Sequence, residues 1–72
     1  MKIKLIRYAR HYTKKKWVLF HQEKLNLQIP LSAIEEVAKE NGAYRVVRTS
    51  KTLKVFKHLS NYDLKEVYSY VG

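Results

Sequence analysis

Basic side chains and aromatic rings share the same short stretches of this 72-residue chain. Residues 1–22 carry Lys2, Lys4, Arg7, Arg10, Lys14, Lys15 and Lys16 with no acid, and Tyr8, Tyr12 and Trp17 lie among them. Residues 43–59 carry Arg45, Arg48, Lys51, Lys54 and Lys57, again with no acid, around Phe56. Lysine and arginine neutralise phosphates, and arginine adds a planar fork that grips a phosphate or a guanine edge through two hydrogen bonds. Exposed rings offer faces on which unpaired bases stack. Together these residues point to nucleic-acid binding.

The candidate contacts are Arg7, Arg10, Lys14, Lys15 and Lys16 from the first stretch, and Arg45, Arg48, Lys51, Lys54 and Phe56 from the second. Charge is densest in the Tyr12–Trp17 loop. The segment Arg48-Thr49-Ser50-Lys51-Thr52 combines two cations with three hydroxyls, all able to meet phosphate oxygens. A blander reading places Trp17 and Phe56 in the core and leaves the lysines as solvated guards of exposed strand edges.

The net charge of +9 makes the binding reading the stronger one. Repulsion within acid-free segments raises the energy of the compact state, and solubility alone does not call for such segments. A polyanion relieves that repulsion and releases its own counterions.

Other chemistries find little support. Without cysteine there is no disulfide and no thiolate metal site. His11, His21 and His58 sit in or near basic stretches, where an acid–base pair would suit metal-independent cleavage of a phosphodiester. No two of them share an expected face, however, and most carboxylates fall in two expected helices, away from the basic strands. Gly-rich phosphate loops and a GxSxG nucleophile are absent from the sequence. The expectation is a non-enzymatic protein with no catalytic residue, metal or cofactor.

A rival reading uses the same charges differently: a viral or mobile-element accessory protein, docking on an acidic surface of a polymerase, ribosome or nuclease. A third would lay residues 3–14 on a membrane as an amphipathic helix. The longest apolar run, Trp17–Phe20, is far short of the ~20 residues a spanning helix needs. No signal-like apolar segment opens the chain, so a soluble cytoplasmic protein is expected.

No linker, low-complexity tract or repeat divides residues 1–72, which read as a single domain. Ser32-Ala33-Ile34-Glu35 has the form of a capping box, and Ile34, Val37 and Ala38 share a helical face. With Gly42 as a left-handed terminator, this predicts a helix over about 33–41. Its acidic outer face (Glu35, Glu36, Glu40) argues against a recognition helix for the major groove. Ser60, Asp63 and the Leu64, Val67, Tyr68, Val71 spacing predict a second helix from about Asn61.

Tyr44–Thr49 and Thr52–Lys57 read as a hairpin about Ser50-Lys51, with Arg45 opposite Phe56 and Val47 opposite Lys54. That register puts Tyr44, Val46, Leu53 and Val55 on a core face. Arg45, Val47, Lys54, Phe56 and His58 fall on the other. Residues 16–22 read as a buried strand, and alternation of Leu25, Leu27 and Ile29 as a further strand ending at Pro30. Residues 2–12 fit a bulged strand, with a helix as the alternative. The expected fold class is α+β, a small antiparallel sheet in β-β-β-α-β-β-α order with two helices on one face. Its sheet edges would suit a homodimer.

Overall fold

The computed structural model describes residues 2–26 and 29–71. The elements run β1 (Lys2–His11), β2 (Val18–Leu25), α1 (Leu31–Glu40), β3 (Arg45–Arg48), β4 (Thr52–His58) and β5 (Tyr62–Val71). All pairings are antiparallel, and the strands lie in the order β2-β1-β5-β4-β3. The expected α+β fold with two helices is thereby corrected to a mostly-sheet fold of β-β-α-β-β-β order, with one short helix among the described residues.

The expected second helix is β5, the central strand. It pairs along its length with β1, from Lys2 opposite Val71 to His11 opposite Tyr62, and on its other side with β4. Leu64, Val67, Tyr68 and Val71 match a helical period, but in the sheet Leu64 and Tyr68 point to one face and Val67 and Val71 to the other. A central strand carries apolar residues on both faces, so its pattern overlaps that of a helix. The Ser60 signal belongs instead to a tight turn, where the Leu59 amide donates to the Tyr62 carbonyl at 2.9 Å.

β2 also departs from expectation. Among the described residues one edge strand stands where two were expected, and its start is exposed rather than buried: Val18 is 61% accessible. Leu25 already lies opposite Ile3 near the start of β1, so the chain turns away there toward α1. Leu27, one residue of the expected alternation, lies outside the described residues, and Ile29 is exposed. The bulge sits in β2 rather than in β1. The register shifts between Arg7 and Tyr8, which pair with His21 and Leu19 and leave Phe20 unpaired.

The β3–β4 hairpin has the expected register, Arg45 opposite Phe56 and Val47 opposite Lys54, closed by a 2.9 Å bond from the Thr49 amide to the Thr52 carbonyl. Leu53 and Val55 are buried and Val46 is half-buried, but Tyr44 is exposed and stacks on His58.

α1 covers one face of the sheet. Leu31 and Ala38 pack with Ile3, Leu53 and Val55, flanked by Leu25, Ile34, Val46, Tyr68 and Tyr70. The capping box does not form. Pro30 is the N-cap, without a side-chain bond, and the Tyr70 hydroxyl accepts the first helical amide, from Leu31, at 2.9 Å. Glu35 turns instead to Arg48 (2.9 Å) and Lys39 (3.5 Å). At the other end Gly42 takes φ +86°, and the Ala43 amide returns to the Ala38 carbonyl at 3.1 Å, a Schellman closure.

Leu53 is fully buried at the centre of this layer. Leu53→Ala should cost about 3 kcal/mol in urea unfolding, whereas Leu19→Ala on exposed β2 should cost less than about 0.5 kcal/mol.

Candidate nucleic-acid interface

Strand alternation assigns every sheet residue to the helix-covered face or to the open one. Ile3 and Leu5 point to α1, so Lys2, Lys4, Ile6, Tyr8 and Arg10 of β1 point away from it. Residues paired across strands share a face, which brings Lys24 from β2, Lys65 and Val67 from β5, and Lys54, Phe56 and His58 from β4 to the same side. Arg45 and Val47 of β3 complete it. One row crosses all five strands: Leu19, Tyr8, Lys65, Phe56, Arg45.

Trp17 leaves the β1–β2 loop and lies over this row. The Arg10 guanidinium is 4.3 Å and the Lys65 ammonium 4.8 Å from its ring centre, and the Phe56 ring is 6.2 Å away. Lys65 also stands 4.7 Å from the Tyr8 ring, and Arg45 stands 5.6 Å from Phe56. These are cation–π distances, and they hold the rings half-exposed among positive charges. Burial, then the neighbouring charges of Lys54 and Arg10, pushes the Lys65 ammonium below its ordinary value.

The next row ends the face. Asp63, only 6% exposed, accepts from Arg10 at 3.1 Å and from His58 Nδ1–H at 2.6 Å. Burial works to raise its carboxyl, but the two hydrogen bonds outweigh burial and hold it below the usual carboxylate range. Tyr44 lies parallel to the His58 ring at 3.9 Å, and the Tyr12 hydroxyl donates to the Leu59 carbonyl.

The ten sequence candidates do not all meet. Arg10, Arg45, Lys54 and Phe56 stand together on the open face, and exposed Lys14, Lys15 and Lys16 flank it in the loop that carries Trp17. Arg7 and Arg48 point to the helix side, where Glu66 holds Arg7 at 2.9 Å and Glu35 holds Arg48 at 2.9 Å. The Glu66 hydrogen bond raises the Arg7 guanidinium above its ordinary value, despite the opposing effect of burial. Lys51 caps the far end of the sheet in the β3–β4 turn, about 30 Å along the strands from the Lys14–Lys16 loop.

The open face also gathers Lys2, Lys4, Lys24 and Lys65, absent from the sequence candidates. Lys65 was hidden by the helical reading of β5. Its signal was the alternation Asp63, Lys65, Val67, Ser69, Val71 against Tyr62, Leu64, Glu66, Tyr68, Tyr70. Among the described residues, no group of three or more His, Asp or Glu converges to hold a metal, and no helix is long and apolar enough to cross a membrane. Comparison of the chain with protein-family models, curated proteins and solved structures returned no match.

Because the Asp63 carboxyl titrates lower in the folded chain than in the unfolded one, its stabilising effect is complete above the unfolded value of about 3.9. It is lost as pH falls through the folded value. Thermal melts of the wild type should lose stability across that acid range, and Asp63→Asn should be less stable at pH 7 with a flatter profile below pH 4.

Proposed function

We propose that this protein is a non-enzymatic nucleic-acid-binding protein that contacts phosphates through the open face of its sheet and the adjoining lysine loop. One observation carries the reading: charge is sorted by face. Of the six carboxylates, Glu35, Glu36 and Glu40 lie on α1, and Glu23 and Glu66 point to the helix side of the sheet. Asp63 alone lies on the open face, and Arg10 and His58 already engage it. Arg45, Lys54, Lys65, Lys4 and Lys24 have no carboxylate within ion-pair distance among the described residues.

A surface in which unpaired cations outnumber acids so heavily attracts a polyanion and exchanges its condensed counterions for fixed charge. The aromatic rings among those cations add contact area that a purely electrostatic surface lacks. The Lys14–Lys16 loop extends the positive field beyond the sheet.

Affinity should therefore fall steeply with salt. Engagement of about five phosphates gives a slope of log K against log[salt] near −4.5 on a duplex and near −3.5 on a single strand. A flat response in a fluorescence-anisotropy titration would refute the reading. Replacing Lys14, Lys15 and Lys16 together by Ala should weaken binding and reduce that slope, with the melting temperature nearly unchanged, because all three side chains are exposed.

A further inference from the structure

The shape of the open face narrows the class of nucleic acid it can hold. Five strands at about 4.8 Å spacing make the face about 19 Å wide. A duplex major groove is about 12 Å wide and admits a helix or a two-stranded ribbon. The intact face is too broad to enter it. α1, the element that could enter, lies on the opposite side and presents Glu36 and Glu40 to solvent.

The face is also chemically unlike a phosphate-only surface. From β1 to β3 its central row alternates rings and cations, Tyr8, Lys65, Phe56, Arg45, with Leu19 of β2 beside Tyr8. Tyr8 and Phe56 stand two strands apart with Lys65 between them, and the Trp17 ring lies against Lys65 and 6.2 Å from Phe56. A stacked duplex hides its base faces and has no use for these rings. A single strand exposes both base faces and phosphates, and its flexible backbone can follow a twisted sheet.

We propose that the open face selects single-stranded nucleic acid, stacking successive bases on Tyr8, Trp17 and Phe56 while Lys65, Arg45 and Lys54 meet the phosphates. This rests on the nucleic-acid reading above and specifies its ligand. The strand runs across the sheet, from β1 toward β3, because the rings and cations alternate in that direction. The shared chemistry is an unpaired base next to a phosphate, supplied by RNA or by DNA.

The test uses the full chain and three labelled probes in anisotropy titrations at one salt concentration: a 12-nucleotide oligo-U RNA, a 12-nucleotide oligo-dT DNA and a 12-base-pair duplex. At least one single strand should bind ten times or more tighter than the duplex, and a gap between the two single strands assigns the source. Trp17 is the only tryptophan, so its fluorescence should be quenched as that strand saturates the protein. Phe56→Leu, which keeps apolar bulk, should weaken single-strand binding about tenfold and duplex binding by much less. Tyr8→Leu should behave in the same way and serves if Phe56→Leu melts early. Equal or tighter duplex binding, unquenched Trp17 at saturation, or folded variants with undiminished single-strand affinity would each overturn the proposal while the broader reading survives. Failure to bind any of the three probes would overturn both.

Discussion

Two carboxylates on the central strand tie the sheet together, one on each face. Glu66, on the helix side, holds Arg7 of β1 at 2.9 Å and Lys57 of β4 at 3.4 Å. Asp63, on the open side, holds Arg10 of β1 and His58 of β4. In each case one buried acid faces a basic group from both neighbouring strands. In a chain with fifteen lysines and arginines, such neutralisation relieves the repulsion between basic groups that β1 and β4 bring to the same strand. Burial alone would push the Asp63 carboxyl toward its neutral form, and its basic partners supply the hydrogen bonds that keep the buried anion tolerable. Burial and the charge of Glu66 together push the Tyr68 hydroxyl up to about 12, so the electrostatic influence of this acid reaches the edge of the core.

That arrangement decides what is left over. With Arg7, Lys57 and Arg10 engaged by β5, and Arg48 engaged by Glu35, the cations without a carboxylate partner in the sheet are concentrated on the open face. The helix side can then bury Ile3, Leu53 and Val55 beneath α1, while the open side keeps an aliphatic and aromatic stripe interleaved with lysine and arginine. Segregation of this kind follows from pairing order. On the helix side Glu66 neutralises both Arg7 and Lys57, whereas on the open side Asp63 meets only Arg10 and His58 and leaves Lys4 and Lys54 without an acid among the described residues.

Much of the local architecture was legible. The β3–β4 hairpin could be read because its turn is two residues long, which fixes the facing pairs and hence which side holds Arg45, Lys54 and Phe56. The Gly42 terminator was legible because only glycine adopts a positive φ without strain. The Ser32 capping box was misleading for the opposite reason: its competitor, the Tyr70 hydroxyl, comes from a strand 39 residues away in sequence. The helical spacing of Leu64, Val67, Tyr68 and Val71 misled because a strand paired on both edges and apolar on both faces carries no clean two-residue period.

Composition and local spacing by themselves determined that this chain is strongly basic, has no thiol chemistry, forms a helix terminated at Gly42, and presents Arg45, Lys54 and Phe56 on one side of a hairpin. They are properties of neighbours along the chain, which turn geometry and side-chain alternation are sufficient to order. Tertiary structure alone decided that residues 62–71 are the central strand, that Arg7 and Arg48 are neutralised while Lys65 and Lys4 join the open face, and that Trp17 lies between Arg10, Lys65 and Phe56. The Arg48 contact depends on α1 docking beside β3 and the others on β1 meeting β5 across the length of the sequence, and such long-range packing is chosen by the energy of the whole fold rather than by the residues on either side of it.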